Sequence, residues 1–371
     1  MLQCVANQTG LNQKDAETPL ANSEASLGSS SFVDDVRPYL FSWLDQGLKT
    51  ALLTLINVEG SSPRGVGSQM LVNQNGESVG LLSGGCVEAA LVSEALETLD
   101  HHQWKLIRYG RDSDYFDIQL PCGSGIDVLI TPIEPSDWVS ELARLTEQRQ
   151  PVALNLDLSE QSFSLSPVSE DDYYPKNHRG SQFTRAQVES DLTSFSKVFL
   201  PKHRILAVGQ GAVFDFFTVL SQSFDVELFA CSSRFTDDEL TPIDRNGVDS
   251  TGVDRNGVLH TQYLSMKSPK SFDASLLDPF STLVLLSHDH DWDIPILKAA
   301  LKTQVAHIAA LGSKSTHQQR LALLDMDGVS VEDQTRVKGP AGIDIGGKTP
   351  PEIALSVLSE IVAMKNHRHL S

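Results

Sequence analysis

The stretch RILAVGQGA, residues 204–212, decides the fold of the C-terminal half of this chain. Its first five residues predict a short buried strand. Gly209 and Gly211 then break that strand before a helix that we expect from Ala212 to about Ser223. Glycines at such a turn let the backbone approach a ligand closely, and the helix start supplies free amide donors. The stretch therefore predicts a strand, a ligand-binding turn and a helix in succession.

Strands and helices alternate along the rest of this half. Strand-like segments at residues 226–231, 282–287 and 305–311 are interleaved with helical segments at residues 294–301, 316–325 and 352–365. Alternation of this kind predicts a parallel sheet with helices on both faces. We expect a Rossmann-like, doubly wound parallel-sheet domain over residues 198–371.

The N-terminal half combines strands and helices without that regular alternation. Strands are predicted at residues 51–58, 69–73, 79–82, 104–109, 126–133, 151–158 and 162–166, and helices at 33–46, 86–99 and 137–149. We expect an α+β domain over residues 32–197, with a polar surface loop or insertion at 169–190. Residues 1–31 lack periodicity, which predicts a disordered tail. The predicted fold class is therefore α/β, with an N-terminal α+β domain before the Rossmann-like domain.

Length, charge and composition exclude several classes of protein. The chain has 371 residues, which corresponds to two domains at about 150 residues each. Its 48 acidic residues against 29 Lys and Arg give a net charge of -19, so a nucleic-acid partner is not expected. The sequence shows neither a run of 18 apolar residues nor an N-terminal signal pattern, so we expect a cytoplasmic protein without a membrane segment.

The dinucleotide-binding fingerprint that begins at Gly209 is incomplete. Phe214 stands where its third glycine is expected, and the end of the second strand reads Cys231-Ser232-Ser233-Arg234, without an acidic residue for a ribose. Ser232 and Arg234 suit a 2′-phosphate or another anionic ligand instead. NAD(P) binding by this domain is therefore an alternative rather than the leading expectation.

Two further polar segments follow predicted strands of the same sheet, where open α/β sheets bind ligands. They are Ser287-His288-Asp289-His290-Asp291 and Leu311-Gly312-Ser313-Lys314. The first is interpreted as a cleft-lining loop, an exposed helix start or a metal site. We favour the cleft and expect no metal, because His288 and His290 would point to opposite sides of an extended chain and a third ligand is not apparent. We predict that His288, Asp289, Gly312 and Ser313 contact a bound ligand.

A third glycine segment, residues 342–349 (GIDIGGKT), matches the phosphate-binding pattern G-x-x-x-x-G-K-T. The buried strand that precedes a true phosphate loop is missing from the sequence here. A glycine turn into the last helix explains the segment better, with Thr349 and Glu352 forming a capping box and Pro350 at the first helical position. We expect that turn.

The loop at residues 60–67 (GSSPRGVG) gathers hydroxyls, glycines and one arginine between two predicted strands. Ser61 and Ser62 offer hydroxyl donors and Arg64 offers a bidentate guanidinium, a combination that suits an oxyanion or a phosphate. A tight connection with a solvated arginine explains the same residues equally well. Both interpretations stay open from the residues alone.

Two of the four cysteines lie in glycine loops of the N-terminal domain. These loops read Ser83-Gly84-Gly85-Cys86 and Pro121-Cys122-Gly123-Ser124. Cys86 falls at a predicted helix start, where the positive end of the helix dipole favours a thiolate, although a lone cysteine is more often a buried apolar residue. We consider Cys86 and Cys122 candidate functional thiols, with Gly84 and Gly85 as backbone contacts.

Taken together, the motifs of both halves resemble the XdhC/CoxI family, the accessory factors of xanthine dehydrogenase and related molybdenum hydroxylases. The N-terminal motifs are GSSPRGVGSQMLV (60–72), LLSGGCVEAAL (81–91) and PCGSGIDVLI (121–130). The C-terminal motifs are ILAVGQGAV (205–213), LSHDHDWDIPIL (286–297), LGSKSTHQQRL (311–321) and GPAGIDIGGKTPPEIALSVLSEIVA (339–363). Several long motifs in one order, over nearly the whole chain from about Val33, are more specific than any single glycine pattern.

The resemblance implies a protein that binds molybdenum cofactor and protects it while a cysteine desulfurase installs its terminal sulfido ligand. The protein then inserts the cofactor into a xanthine dehydrogenase-type molybdenum hydroxylase, as a chaperone rather than an enzyme with turnover. On this view Ser61, Ser62 and Arg64 hold the phosphate or an oxo group of the cofactor, and Cys86 or Cys122 contacts molybdenum or relays persulfide sulfur. The C-terminal cleft binds a nucleotide-like part or a partner, and a homodimer is a further expectation.

Two other classes of function stay open. An NAD(P)-linked oxidoreductase would use the turn at Gly209 and Gly211 and would show a nicotinamide-dependent thermal shift. A docking module would bring the hydroxylase and the desulfurase together without binding any pterin.

Overall fold

The structure is a computed structural model that describes residues 32–85, 87–113, 124–168, 186–188, 193–235, 261–287 and 289–366. The predicted tail at 1–31 and most of the predicted loop at 169–190 lie outside these ranges. Cys86, Cys122 and His288 lie outside them as well. Within the described ranges the chain forms three β-sheets and the helices that cover them.

The first sheet is antiparallel and has five described strands. They are β1 (Thr50–Glu59), β2 (Gln69–Asn73), β3 (Ser78–Gly80), β4 (Lys105–Gly110) and β5 (Gly125–Ile133), in the order β3-β2-β1-β5-β4. The central strand β1 is buried over seven consecutive residues, in keeping with its nearly continuous apolar sequence. The helix α2 (Glu88–His101) covers one face, where Leu91 and Ala95 share a core with Leu53.

The opposite face of this sheet shares a core with two helices and a second antiparallel sheet. The helices are α1 (Arg37–Asp45) and α3 (Asp137–Glu147), and the strands are β6 (Val152–Asp157), β7 (Ser162–Pro167), β8 (Ala186–Val188) and β9 (Ser194–Phe199). The strand order is β7-β6-β9-β8. Trp43, Leu52, Leu154 and Phe195 meet in this core.

Two strands of the second sheet differ from the sequence predictions. β8 lies within the range 169–190 that was predicted to be a loop or insertion, because three residues are too few to show the strand period and they pair only through β9. β9 has Ser and Lys among its residues, which weakened its apolar signal. The domain boundary predicted between residues 197 and 198 falls inside β9.

The C-terminal sheet is parallel throughout its described strands. They are β10 (Arg204–Gly209), β11 (Glu227–Ser232), β12 (Thr261–Ser265), β13 (Ser281–Leu286), β14 (His307–Ala310) and β15 (Val337–Lys338). Their order is β12-β11-β10-β13-β14-β15, so the direction of chain progression reverses between β10 and β13. Such a reversal opens a crevice at the carboxyl ends of the two strands.

Helices lie on both faces of this parallel sheet. They are α4 (Ala212–Ser221), α5 (His290–Ala300), α6 (Lys314–Met326), α7 (Val331–Thr335) and α8 (Pro350–Lys365). One core joins the sheet to α5 and α6, and the other joins it to α4 and α8. The predicted fold class, an N-terminal α+β region followed by a Rossmann-like domain, is confirmed. Phe214, in place of the third fingerprint glycine, lies on α4 and is fully buried in the core that this helix shares with the sheet.

The glycine segment at residues 342–349 leads into α8 as the sequence predicts. Thr349 and Glu352 form a capping box, with the Thr349 amide donating to Glu352 at 2.9 Å, and Pro350 occupies the first turn. The Lys348 amide donates to the same carboxylate at 3.0 Å. The segment is therefore a helix cap. None of the described helices is long and apolar enough to cross a membrane.

Candidate functional site

Three loops of the N-terminal region converge at one end of the five-stranded sheet. They join β1 to β2 (residues 60–68), β3 to α2 (81–87) and β4 to β5 (111–124). The register pairs both Glu59 and Gly110 with Gly125, and Met70 with Gly80, so all three loops leave the sheet at the same end. We call this end the three-loop site. It brings together the segments that carry Ser61, Ser62, Gly84 and Gly85.

The three loops touch one another through glycines. Gly60 has a φ of +88°, and a Cβ there would lie 3.3 Å from Cβ of Ser124, which places the first loop against the third. A Cβ on Gly84, at a φ of +98°, would lie 3.3 Å from Cγ of Pro63. The first loop therefore contacts both of the other two. Cys86 and Cys122 belong to these two neighbouring loops, and both lie outside the described residues.

The Glu88 carboxylate organises the loop that precedes α2. It accepts hydrogen bonds from the amides of Leu82, Ser83, Gly84 and Val87 and from the Ser83 hydroxyl, at 2.8 to 3.3 Å. Burial alone would raise the pKa of Glu88, but the hydrogen bonds from Ser83 and the neighbouring amides lower it below its ordinary value. Sequence reasoning missed this residue, although an acidic side chain in the first turn of a predicted helix was a visible signal.

A second anchor lies where the chain leaves β4 and enters β5. The Arg108 guanidinium donates to Asp127 at 3.0 Å and to the Arg111 carbonyl at 2.8 Å, and it lies 2.6 Å from Glu59. Gly125 permits this arrangement, since a Cβ there would lie 2.7 Å from Nη2 of Arg108. These residues were also missed, because nothing in the separate strands indicated that they would face one another.

The Arg64 guanidinium is engaged within the chain. It forms a salt bridge with Asp34, its Nε donates to the Leu81 carbonyl at 3.2 Å, and it lies over the Phe32 ring at 4.9 Å. The Arg64 amide donates to the Ser62 hydroxyl at 3.2 Å. Arg64 thus connects the first loop to the segment before α1, and the phosphate-holding role of Ser61, Ser62 and Arg64 stays a prediction.

The second group of predicted residues lies at the carboxyl edge of the parallel sheet. Gly209, Ser232 and Asp289 line one cavity of about 50 Å³ there, together with Gln210 and Ser287. A Cβ on Gly209 would lie 2.7 Å from the Leu286 carbonyl oxygen, so only glycine fits at this close strand contact. His288 belongs to the same edge in sequence but lies outside the described residues.

The remaining predicted residues of this edge serve local structure. Gly211 has a φ of +86° and is the N-cap of α4. Asp289 caps α5 and Ser313 caps α6, each accepting from an amide two or three residues ahead. Gly312 has a φ of +141°. The Arg234 side chain pairs with Asp215 on α4.

A buried ion pair that sequence reasoning missed supports this edge. Arg320 and Asp293 are 0% and 1% exposed, and their atoms approach to 2.9 Å. Asp293 also accepts from the Ser287 hydroxyl at 2.9 Å, and Arg320 donates to the Leu311 carbonyl at 2.9 Å. The pair therefore fixes the chain directly after β13 and β14. Among the described residues no cluster of three or more metal-ligating side chains is found.

The described members of the two groups of predicted residues do not meet. The N-terminal region joins the Rossmann-like domain at the amino ends of the parallel strands, where the Asp34 and Asp35 amides donate to Asp225 at 2.8 and 2.6 Å. The carboxyl ends of six-residue strands such as β10 lie roughly 20 Å away. NAD(P) binding at that edge stays a prediction.

Comparison with known proteins shows the family. The XdhC Rossmann domain family matches residues 205–361, and the XdhC and CoxI family matches residues 43–110. The molybdenum cofactor insertion chaperone PaoD of Escherichia coli (strain K12) is 30% identical over 325 residues, which are 88% of this chain and 86% of PaoD. The chain belongs to the XdhC and CoxI family.

Other relatives of this XdhC and CoxI family protein match less closely or over shorter stretches. The uncharacterized protein YqeB of Escherichia coli (strain K12) is 22% identical over 87% of this chain and 45% of its own length. A probable xanthine dehydrogenase subunit from Bacillus subtilis (strain 168) is 34% identical over 87 residues, 24% of this chain and 26% of that protein. A crystal structure described as a xanthine dehydrogenase from Bacillus halodurans superposes with a TM-score of 0.64 at 19% identity. It covers 90% of this chain and 96% of its own, which shows that the fold is shared.

Proposed function

We propose that this XdhC and CoxI family protein binds molybdenum cofactor at the three-loop site, protects it during sulfuration and inserts it into a molybdenum hydroxylase. The observation that carries the proposal is the convergence of three loops, two of which contain Cys86 and Cys122, at one end of the five-stranded sheet. Similarity to a molybdenum cofactor insertion chaperone over 88% of the chain supports it.

The donor set of the three-loop site suits an anionic, phosphate-bearing cargo. Ser61 is exposed, Ser62 is half-buried, and both directly follow Gly60, which lies against Ser124. Gly85 is exposed, and nothing lies within 4 Å of the position of a Cβ there, so its backbone can approach a ligand. A thiol from Cys86 or Cys122 would be the soft ligand that molybdenum and sulfur chemistry require.

The positioning of the residues around the candidate thiols matters for a carrier. A protein that holds a cofactor between two partners gains affinity when its ligands are positioned before binding, since less ordering entropy is then lost. Glu88 positions the described residues on both sides of Cys86, and Arg108 positions Arg111 at the start of the loop that contains Cys122. We propose that the chain acts as a receptor for the cofactor rather than as an enzyme with turnover.

Two protein partners follow from this function. One is a xanthine dehydrogenase-type hydroxylase that receives the cofactor, and the other is a cysteine desulfurase that supplies the terminal sulfur. The work takes place in the cytoplasm, where thiols stay reduced. A homodimer would present two such sites, and its presence is testable by light scattering.

The test is cofactor retention by the purified protein. The protein is isolated from molybdate-fed cells that make the cofactor, and bound pterin fluorescence after oxidation and bound molybdenum are measured for the native chain, Cys86→Ala and Cys122→Ala. We expect near-stoichiometric pterin in the native protein and a loss of at least tenfold in one of the two variants.

Cys231→Ala is the matched control. Cys231 is buried in the core of the Rossmann-like domain, and burial raises the pKa of its thiol to about 12, so it offers no thiolate at neutral pH. We expect this variant to retain pterin. Absence of pterin from the native protein, under conditions in which a known carrier retains it, would contradict the proposal. A thermal shift with NAD(P) would then favour the oxidoreductase, and capture of both partners without pterin would favour the docking module.

A further inference from the structure

Two of the three arginines that the structure describes at the three-loop site are already bound by carboxylates of the chain. Arg64 forms its salt bridge with Asp34, and Arg108 donates to Asp127 at 3.0 Å. Neither guanidinium can neutralise an anionic cargo without giving up such a partner. The third arginine is Arg111, the first residue of the loop between β4 and β5.

Arg111 combines a fixed backbone with an exposed side chain. Its amide donates to the Ser124 carbonyl at 3.0 Å, and its carbonyl accepts from Nε of Arg108 at 2.8 Å. The residue is exposed, and within the described ranges its guanidinium forms neither a hydrogen bond nor an ion pair. A ligand that binds this guanidinium therefore displaces no described partner.

The strand register places Arg111 on the face of the sheet that α2 covers. Gly110 pairs with Gly125, and the bond between Arg111 and Ser124 extends this ladder by one residue. Side chains along a strand alternate between the two faces, so Arg111 shares a face with Tyr109. Tyr109 belongs to the core between the sheet and α2. Arg111 thus lies on that face, at the end of the sheet where α2 begins.

The loop before α2 lies on the same face. Leu82 and Val87, which flank residues 83–86, are buried in the core that contains Tyr109. Arg111 follows Tyr109 by one period of the strand, so it lies at the margin of this core. The loop that contains Cys86 leaves the core at the same end.

The predicted hydroxyls of the first loop lie within reach of Arg111. Gly60 stands beside Ser124, since a Cβ on Gly60 would lie 3.3 Å from Cβ of Ser124. Gly60 is therefore two strands away from Arg111, which is about 10 Å at the usual spacing between strands. Ser61 and Ser62 directly follow Gly60. An extended arginine side chain and a phosphate group together span this distance.

Most carboxylates near Arg111 are occupied by other groups. Glu88 accepts from backbone amides, and Glu59 and Asp127 are bound by Arg108. Asp112 follows Arg111 at a φ of +58°, and the described contacts include no ion pair between the two. Arg111 is therefore the arginine of this site whose charge is not matched by an ion pair in the described structure.

We propose that Arg111 binds the anionic group of the cargo at the three-loop site, through a bidentate contact between its guanidinium and a phosphate. This inference rests on the proposed function and names a further residue that performs it. Arg111 adds a cation to the hydroxyls of Ser61 and Ser62, while Arg64 keeps its salt bridge.

The experiment measures retention of molybdenum cofactor by the full chain isolated from molybdate-fed cells, as bound pterin and bound molybdenum per chain. Arg111→Gln removes the charge but keeps a hydrogen-bonding side chain. Arg111→Lys keeps the charge but loses the bidentate geometry. We expect retention to fall at least tenfold in Arg111→Gln and by a smaller factor in Arg111→Lys.

Two variants serve as controls. Asp112→Asn changes the next residue of the same loop, and asparagine tolerates the positive φ there. Arg144→Gln removes the same charge from the surface of α3, where Arg144 is exposed and pairs with Glu141. Each control should retain at least half as much cofactor as the native chain.

The outcomes separate this inference from the cofactor function. Native retention in Arg111→Gln would overturn the inference and leave the cofactor function intact. An equal loss in Asp112→Asn would overturn it as well, because a disturbed loop would then explain both variants. Absence of pterin from the native chain would contradict the cofactor function, and this inference with it.

Salt dependence gives a second measurement that needs no variant. An exposed ionic contact weakens when sodium chloride rises from about 0.1 M to about 1 M, because the screening length falls from about 10 Å to about 3 Å. Pterin retention by the native chain should therefore fall over this range. Retention that did not change with salt would overturn the inference even if Arg111→Gln failed to fold.

Discussion

Glu88 shows how one side chain can decide the shape of a loop that carries a candidate thiol. Its carboxylate accepts from four backbone amides, and its pKa lies below the ordinary value because these bonds outweigh the effect of burial. We expect Glu88→Gln to lower the free energy of unfolding at pH 7 by about 1–2 kcal/mol, since hydrogen bonds to a charged group are lost from a partly solvated site. Urea unfolding at pH 7 measures the loss.

The same residue gives a pH prediction with a definite sign. A carboxylate whose pKa is lowered by folding stabilises the native state above its unfolded pKa, about 4.3, and loses that contribution as the pH falls through the folded value. The difference between the native chain and Glu88→Gln should therefore be full at pH 7 and shrink below about pH 4. Glu147→Gln, at an exposed helix end, serves as control. It should leave the free energy of unfolding unchanged both at pH 7 and below pH 4. A difference that stayed constant down to pH 3 would contradict the assigned role.

Individual residues of the sites were predictable to different degrees. Gly209 and Gly84 were identified from sequence as turn residues, and the structure shows why glycine is needed at each: a carbonyl lies too close at Gly209 and a positive φ occurs at Gly84. Arg64 was identified for its chemistry, but its salt bridge with Asp34 was not. The chemical character of a side chain can be read directly from the sequence, whereas the partner of a charged side chain is set by the fold.

At the scale of elements, the buried pair of Arg320 on α6 and Asp293 on α5 joins two helices to the ends of β13 and β14. We expect Arg320→Met to lower the free energy of unfolding by about 3–5 kcal/mol, because it leaves the Asp293 carboxylate buried without its cation. The double variant Arg320→Met/Asp293→Asn should lose less free energy of unfolding than Arg320→Met alone, since no uncompensated charge remains. Thermal unfolding of both variants, side by side, measures the difference.

Arg234→Met provides the matched control for this pair. Arg234 lies at the same edge of the sheet, but its side chain is 42% exposed and that of its partner Asp215 is 46% exposed. We expect a loss of about 0–1 kcal/mol, as for other exposed ion pairs. If Arg234→Met and Arg320→Met lost the same free energy of unfolding, burial would not explain the stability of the ion pair at this edge.

Elements with strong local signals were predicted well, and elements without them were not. The helix α8 was predicted with its capping box, and β10 with α4 was predicted from the stretch at 204–212. β8 and β15 have three and two residues and exist only through pairing with neighbours. The predicted first helix starts at residue 33, whereas α1 starts at Arg37 because the Asp34 and Asp35 amides are bound by Asp225.

At the scale of the whole molecule, Arg149 connects the two halves. It follows α3, and its guanidinium lies 2.5 Å from Asp278 and 2.9 Å from Glu227 of the Rossmann-like domain. We expect Arg149→Met to weaken the junction by about 2–4 kcal/mol, because partly buried Asp278 loses its arginine partner and Glu227 keeps only Arg204. Differential scanning calorimetry should then resolve two unfolding transitions in place of one cooperative transition.

Arg144→Met is the control for the junction, five residues earlier in the chain. Arg144 pairs with Glu141 on the surface of α3, and its side chain is 50% exposed. This variant should unfold with the same profile as the native chain. If Arg149→Met also kept a single transition at an unchanged temperature, the junction would not depend on this residue.

The sequence by itself determined the fold class, the strand and helix order of the parallel sheet and the loops that hold candidate chemistry. These follow from apolar periodicity, glycine turns and helix caps, which act over a few residues. Only the tertiary structure decided that three loops meet at one end of a sheet, that Glu88 holds the residues before α2, and that Arg108 holds Arg111 at the end of β4. These features depend on strand register and on pairs of charges far apart in sequence, such as Arg149 and Asp278, whose contact is specified by packing rather than by any local pattern.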